Sequence, residues 1–235
     1  DIGQGHQPRY TRKESSAATD VYRRRDQCGE CDDNANTDCY DLSLDLHAGA
    51  NLISFPALPT DASIENIFAG CDGVIGEGVG AVNIDGTWMG SLTEVSQDDG
   101  YWVKVSNDAT LELYDCEPVN YDADGEVSYD VHSGSNLISY PFVSSAPLEE
   151  TIPDVAQNSI FGVIGEGEAA LNSEDGWVGG LMDLSGTEGY WFITSEDVEF
   201  TYNPPASDDN LTRQVKYRKV LPEAYTYAQS RNQAF

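Results

Sequence analysis

The chain has 235 residues, enough for one large domain or two small ones, and its formal net charge is −29. Between Asp26 and Thr212 stand 37 acidic residues and a single Lys or Arg, whereas residues 1–25 and 213–235 are net basic. So acidic a body repels phosphate backbones and anionic headgroups, which argues against nucleic acid and membrane surfaces and in favour of cations or basic partners. The alternative reading of this charge is solubility in salty water.

The N-terminal region, residues 1–39, has little apolar periodicity, and we expect an extended basic arm rich in Cys and Asp. The chain opens on Asp1 rather than Met, which predicts a signal peptide already removed and a secreted or cell-surface location. Five cysteines beside few lysines favour the same location. No run of 18 apolar residues occurs, so the sequence predicts no membrane span.

Two segments alternate oxygen-bearing side chains as a calcium loop does, because a hard cation collects six to eight oxygen ligands. The candidate ligands are Asp32, Asn34, Asn36 and Asp38 in the arm, and Asn120, Asp122, Asp124 and Glu126 between the two repeats described next. Neither segment has a carboxylate at the twelfth position, so an ordinary Asx-rich turn is the alternative. Calcium is the one cofactor that the sequence suggests, and nothing in the sequence requires a cofactor.

An internal repeat dominates the rest of the chain. A segment at His47 recurs 85 residues later, and two further segments recur 89 residues later, so the second copy has gained four residues in between. The matches are His47–Pro56 with His132–Pro141, Gly73–Gly78 with Gly162–Gly167, and Gly100–Trp102 with Gly189–Trp191. We therefore divide the chain into the arm (1–39), module 1 (40–118), module 2 (119–204) and a C-terminal segment (205–235).

Each module is predicted to be mainly β. Leu42, Leu44 and Leu46 alternate with polar residues, as a strand with one buried face does, and module 2 repeats the pattern from Val127 to Val131. A short helix is predicted over residues 62–68 with Asp61 as its cap, and its counterpart over 147–152. The fold class is thus two tandem β-sandwich or barrel-like modules with short helical turns, plus extended N- and C-terminal segments.

The C-terminal segment begins with a linker over residues 203–209 that contains adjacent prolines. Residues 214–220 then alternate as an exposed strand would.

The motifs together resemble those of the modular secreted or cell-surface proteins of marine bacteria, in which a Cys-Gly-x-Cys linker precedes "GxNLIS" repeats that end in "GYWV". Here the linker is Cys28–Cys31, and the repeats carry Asn51–Ser54, Gly73–Gly78 and their copies. The resemblance covers most of residues 28–235. It implies a modular extracellular protein and says little about ligands. It also implies that residues 221–235 open a further β module, so that the chain is a processed fragment or another molecule completes its last strand.

The cysteines allow a disulfide between Cys71 and Cys116 in module 1, which has no counterpart in module 2. Two of Cys28, Cys31 and Cys39 would then pair with each other, which leaves the third unpaired or bonded to another chain. A zinc site made by these three and His6 is the less favoured alternative.

Evidence for catalysis is weak, since no nucleophile elbow, Walker loop or His-Glu-x-x-His motif occurs. His47 and His132 share one repeat position, as structural residues would. Glu77 and Glu166 could form a carboxylate pair only if one cleft held both. The four tryptophans could stack on sugars, although their equivalence between copies favours core packing. They are Trp88, Trp102, Trp177 and Trp191.

These observations predict a non-enzymatic extracellular protein, structural or adhesive, in a surface or filamentous assembly. Its partners would be other copies of itself, joined by basic termini laid on acidic bodies and by strand addition at a sheet edge. The alternative is a carbohydrate-binding module of a secreted enzyme, with a surface glycan as ligand.

Overall fold

The computed structural model describes residues 40–118 and 128–205, together with the backbone of residues 214–218. It is mainly β, with three helices of a single turn in these ranges, and it contains two homologous modules in tandem. The predicted mainly β fold class is therefore confirmed, while the predicted N-terminal arm, residues 1–39, lies outside the described residues. Of the two predicted shapes the sandwich-like one is observed, because none of the sheets described closes into a barrel.

Module 1 consists of a five-stranded sheet and a second sheet. Its elements are β1 (Tyr40–Leu46), β2 (Gly49–Ile53), β3 (Ala57–Leu58), α1 (Ile64–Ile67), β4 (Gly73–Gly76), β5 (Val79–Ile84), β6 (Thr87–Gly90), β7 (Tyr101–Val105) and β8 (Ala109–Pro118). The five-stranded sheet has the order β2-β7-β4-β5-β6, and the second sheet contains β1-β8-β3. All pairings among these eight strands are antiparallel.

Module 2 repeats the five-stranded sheet in the order β10-β16-β12-β13-β14, with β17 and β9 paired separately. Its elements are β9 (Tyr129–Val131), β10 (Gly134–Ile138), β11 (Ala146–Pro147), α2 (Leu148–Thr151), α3 (Asp154–Gln157), β12 (Ile160–Ile164), β13 (Ala169–Ser173), β14 (Gly176–Gly179), β15 (Asp183–Leu184), β16 (Tyr190–Thr194) and β17 (Val198–Phe200). Helix α3 lies where the second copy gains its four residues.

Each module has a core of its own between its layers. In module 1, the alternating leucines of β1 are 1–3% exposed and share a cluster with Tyr101 and Val103 from the inner face of the five-stranded sheet. In module 2, Tyr129 and Val131 of β9 pack with Phe192 and Phe200. The period of two in the sequence thus predicts which face of each strand is buried.

The predicted helices are present but shorter than expected. Helix α1 begins after Ser63, which is the residue at its N-cap, so the prediction of Asp61 as the cap was wrong by two positions. Asp61 instead accepts a hydrogen bond from the Ser63 backbone N–H at 3.1 Å. It therefore stabilises the turn that leads into the helix.

The C-terminal segment contributes β18 (Gln214–Arg218), which pairs in parallel with β1 at the edge of the second sheet of module 1. The register runs from Asp41 opposite Gln214 to Asp45 opposite Arg218. The predicted strand in this segment is thus present. Across the ranges described, no helix has the length and apolar content needed to cross a bilayer.

Candidate functional site at the module interface and on the sheet faces

The corner between β1 and β2 explains the His-x-Gly-x-Asn part of the repeat. The Asn51 side chain accepts a hydrogen bond from the His47 N–H and donates one to the His47 carbonyl, both at 2.9 Å. Gly49 has a φ of +118°, which favours glycine. Asn136 clamps His132 in the same way in module 2, at 2.8 Å for both bonds. Each corner thereby holds its histidine ring in a fixed place.

Each histidine reaches a glutamate of the other module. His47 Nε2 lies 2.6 Å from Glu166 Oε1, while the second carboxylate oxygen accepts the Leu52 N–H at 2.7 Å. In the reciprocal contact, His132 Nε2 lies 2.8 Å from Glu77 Oε1, and the Leu137 N–H donates to the other oxygen at 2.7 Å. The two contacts are the same contact made twice, as a pseudo-two-fold relation between the modules requires.

Both ring nitrogens of these histidines face oxygen acceptors. Nδ1 of His47 lies 3.0 Å from the Ala48 carbonyl, and Nδ1 of His132 lies 2.9 Å from the Ser133 carbonyl. At His132, only the doubly protonated imidazolium donates on both sides. Hydrogen bonds to the Ser133 carbonyl and to Glu77 accordingly raise the pKa of His132.

The outer edges of β2 and β10 are covered by loops of the opposite module. Ser54 donates its N–H to the Thr187 carbonyl at 3.2 Å and its hydroxyl to the Glu188 carbonyl at 2.7 Å. Ser139 does the same with the Asp98 and Gln97 carbonyls, at 3.0 and 2.6 Å. We call these loop contacts, together with the two His–Glu contacts, the module interface. It pairs main-chain groups that an edge strand would otherwise expose.

Two glycines meet at a close contact between the modules. A Cβ placed on Gly189 would lie 2.8 Å from the Ile53 carbonyl oxygen and 3.2 Å from the Gly100 Cα. A Cβ on Gly100 would lie 2.9 Å from the Leu137 Cδ1 atom. The glycine of the repeated Gly-Tyr-Trp motif is therefore required by this close approach.

The tyrosine of the same motif anchors the loop that follows each β-hairpin. The Tyr101 hydroxyl accepts the Ser96 N–H at 2.8 Å and donates to Asp99 at 3.3 Å. Tyr190 accepts the Ser185 N–H and donates to Glu188 in the same arrangement. Burial raises the pKa of Asp99 and of both phenols.

The five-stranded sheets also present a second kind of surface, on the side away from each core. Trp102 stands directly opposite Ile75 across the β4–β7 ladder, and Trp191 stands opposite Ile164 in module 2. Both tryptophans are half-buried. In module 1 this surface forms a groove of about 790 Å³, lined by Trp102, Met89, Asn83 and Lys104 among others.

The tryptophans thus divide into two kinds. Trp177 is 8% exposed within the core of module 2, and Trp88 is half-buried against Phe68 in module 1, with ring centroids 6.4 Å apart. The prediction of core packing describes this pair. It does not describe Trp102 and Trp191, whose rings lie on the outer side of their sheets.

The predicted disulfide is not formed, since Cys71 and Cys116 are both free thiols in the structure. Both are buried in the core cluster of module 1, where they pack as small apolar side chains. Burial raises the pKa of Cys71 to about 11 and that of Cys116 to about 12, so both stay protonated at neutral pH. Cys28, Cys31 and Cys39 lie outside the described residues.

Both predicted calcium segments also lie outside the described residues, so the structure does not place their ligands. Within the ranges 40–118 and 128–205, no group of three or more His, Cys, Asp or Glu side chains is arranged to hold a metal.

The possible Glu77 and Glu166 pair takes a different form in the structure, because each carboxylate has its own histidine in a separate contact. Sequence reasoning missed this reciprocity. The sequence did contain a signal, because several positions that are not apolar core residues are identical in the two copies. In module 1 these are Glu77, His47, Ser54 and Gly100. Identity between copies at polar and glycine positions indicates an interface between the copies.

Comparison of the chain with protein-family models, curated proteins and solved structures finds no match. Its function is therefore inferred from its own residues.

Proposed function

We propose that the chain is a non-enzymatic structural or adhesive subunit of an extracellular assembly, joined to other copies through its terminal segments. The observation that carries the proposal is β18, a strand of the C-terminal segment that lengthens the sheet of module 1 along β1. A β1 edge in a second copy offers the same main-chain ladder. Exchange of such a strand between copies is a common route to assembly.

Charge favours the same contact. Strand β1 contains Asp41 and Asp45, whereas the 23 residues after Thr212 contain five Lys or Arg and one acid. A basic segment laid on an acidic body gains electrostatic energy that salt screens. Assembly through this contact is therefore expected to weaken as ionic strength rises.

A non-enzymatic role is supported by how the repeated polar residues are used. The histidines, the glutamates of the Gly-rich turns and the serines of the Asn-Leu-Ile-Ser motif all bond across the module interface. Their geometry serves to join two modules. The extracellular location rests on the sequence and on its resemblance to secreted modular proteins.

The test is a pair of proline substitutions in β18, Val215→Pro and Tyr217→Pro, because proline cannot donate to a β ladder. We expect the unaltered chain to form filaments or large oligomers at low ionic strength, seen by negative-stain microscopy and analytical ultracentrifugation, and the proline variants to remain monomeric. Ser207→Pro, outside the strand, is the control and should assemble normally. Dispersed monomers of the unaltered chain at every ionic strength would refute the proposal.

A carbohydrate-binding module is the second candidate, and the half-exposed positions of Trp102 and Trp191 favour it. A tryptophan on the outer surface of a sheet offers a stacking platform for a sugar ring. A neutral glycan bound there would change tryptophan fluorescence, and the double variant Trp102→Ala with Trp191→Ala would abolish the change. If no neutral polysaccharide alters the emission, this candidate fails.

A further inference from the structure

The outer sides of the two five-stranded sheets are built from equivalent positions of the repeat. We define outer face 1 as Ile75, Val82, Met89, Trp102 and Lys104, and outer face 2 as their counterparts Ile164, Leu171, Val178, Trp191 and Ile193. The ladders place the members of each face together: Val82 stands opposite Met89, and Leu171 stands opposite Val178. Residues directly opposite in antiparallel strands share one side of the sheet.

Both faces expose large apolar side chains to solvent. On outer face 1, Ile75, Val82 and Met89 are 60%, 48% and 57% exposed; on outer face 2, Ile164, Leu171 and Val178 are 44%, 58% and 61% exposed. A contiguous apolar patch of this kind on a folded surface marks a site of interaction. Because it occurs twice, at equivalent positions, a chance exposure of one side chain does not explain it.

The faces also lack the acidic residues that cover the rest of the body. Among their ten residues the only ionisable side chain is Lys104, the one Lys or Arg between Asp26 and Thr212. Two bodies of such high negative charge repel each other over most of their surfaces. Their outer faces carry fewer carboxylates than the rest of the body: Asp72 lines the groove beside Lys104 on outer face 1, and Glu174 and Asp175 lie in the turn that ends outer face 2.

We propose that outer face 1 of one molecule binds outer face 2 of a second copy of this chain. The proposal rests on the proposed function, which it deepens by adding a second contact between subunits. It pairs unlike faces because Lys104 belongs to outer face 1 alone, whereas outer face 2 has Ile193 at that position. The turn that ends outer face 2 carries two acids, Glu174 and Asp175, where the equivalent turn of outer face 1 has Asp85 and Gly86, so outer face 2 is the better partner for a cation.

Packing of one sheet on another supplies the geometry of the contact, since flat apolar sheet faces pack against each other in β-sandwiches. Every molecule carries one face of each kind. A contact between unlike faces leaves a free outer face 1 at one end of the pair and a free outer face 2 at the other. Addition of subunits can therefore continue in one direction and build an open polymer or, where the rotation closes, a ring.

Salt dependence separates this contact from the one made by the terminal segments. Salt screens the repulsion between acidic bodies but leaves burial of apolar surface intact, so contact between the faces strengthens with ionic strength. Contact between basic segments and acidic bodies weakens over the same range. At about 1 M NaCl only the faces should hold subunits together.

The experiment uses the full chain at about 1 M NaCl with the single variants Val82→Glu on outer face 1 and Leu171→Glu on outer face 2. By sedimentation velocity the unaltered chain should form species larger than dimers. Each variant alone should be monomeric, with self-association weakened at least about tenfold, because a buried carboxylate is costly. An equimolar mixture of the two should form one-to-one dimers and nothing larger, since one intact face of each kind remains.

Val155→Glu is the matched control, because Val155 is 63% exposed on α3, outside both faces. It should assemble as the unaltered chain does, and near-ultraviolet circular dichroism should show that all variants fold.

Four results would overturn the inference. Dimers of either variant alone would mean that like faces pair. Assembly of both variants at about 1 M NaCl as in the unaltered chain would mean that a surface other than the two faces joins the subunits, since salt weakens the terminal contact. A chain that is monomeric at high salt but assembles at low salt would leave the terminal segments as the sole contact, so the proposed function would stand without the inference. A chain that stays monomeric throughout and binds a neutral glycan through Trp102 would identify the faces as glycan sites.

Discussion

Glu166 and Glu77 occupy equivalent positions in the repeat but have unequal surroundings. The Glu166 side chain is 6% exposed and its partner His47 is 12% exposed, whereas Glu77 and His132 are 35% and 60% exposed. A charge-assisted hydrogen bond contributes more where water cannot replace either partner. The two contacts are therefore alike in geometry and different in energy.

We predict that Glu166→Ala lowers the free energy of unfolding by about 1.5–3 kcal/mol, because it removes the hydrogen bonds of the carboxylate to His47 and to the Leu52 N–H at a buried position. Glu77→Ala removes the equivalent bonds where water can enter, and its effect should be clearly smaller. Chemical denaturation of the two variants side by side measures both. Equal losses, or a larger loss for Glu77→Ala, would contradict this account.

Single residues were the hardest level to predict from sequence. The Cys71 and Cys116 pairing was wrong, because two cysteines in one module are equally compatible with a disulfide and with two core thiols until their positions are known. The structural role of His47 and His132 was predicted from their shared repeat position. Their partners were not, because each lies more than fifty residues away in the other module.

At the scale of the element, β2 and β10 are edge strands whose outer sides are covered by a loop of the opposite module. Gly189 and Gly100 sit in those loops and allow the main chains to touch. A side chain at either position would push loop and strand apart, and the bonds from Ser54 and Ser139 would lengthen with them.

We predict that Gly189→Ala destabilises the chain by about 1–3 kcal/mol, the cost of overpacking a close contact. The control is Gly180→Ala, where a Cβ would meet only the Glu168 Cβ at an ordinary 3.7 Å. Thermal unfolding of both variants provides the test. If Gly189→Ala has the same melting temperature as Gly180→Ala and the unaltered chain, the modules are not in the close contact described.

Elements were largely predictable, and their arrangement was not. Alternation in β1 and the matching pattern before Val131 predicted both the strands and their buried faces, since period two is a local property. The predicted helical turn is present, but its N-cap residue is Ser63 and not the predicted Asp61. Sheet order, such as β7 between β2 and β4, depends on contacts distant in sequence and has no local signal.

At the scale of the whole molecule, several groups respond to pH in the same direction. The pKa of His132 is raised by its bonds to the Ser133 carbonyl and Glu77, and burial raises the pKa of Asp99 and of Glu168. A group whose pKa is higher in the folded state than in the unfolded state favours folding on the acid side, and that stabilisation is lost as pH rises through the folded pKa.

We therefore predict a higher melting temperature at about pH 5 than at about pH 8. The stabilisation due to His132 is lost at pH values above its ordinary pKa of 6.5. The stabilisation due to the two carboxyl groups is lost at lower pH, above 3.8 for Asp99 and above 4.5 for Glu168. His132→Gln should therefore reduce the change of melting temperature with pH only in the upper part of this pH range. A melting temperature that falls on acidification across this range would show that the sign is wrong.

The pseudo-two-fold body has a consequence that a true homodimer could not have. In a homodimer one codon sets both copies of a position, so the two ends of the particle must stay identical. Fusion into one chain removes that constraint. The two copies differ on their solvent sides, where module 1 has Lys104 and Asp72 and module 2 has Ile193 and Phe161 at the equivalent positions. Both copies keep the His–Glu contacts that join the modules. Divergence of this kind gives a near-symmetric particle two chemically different ends.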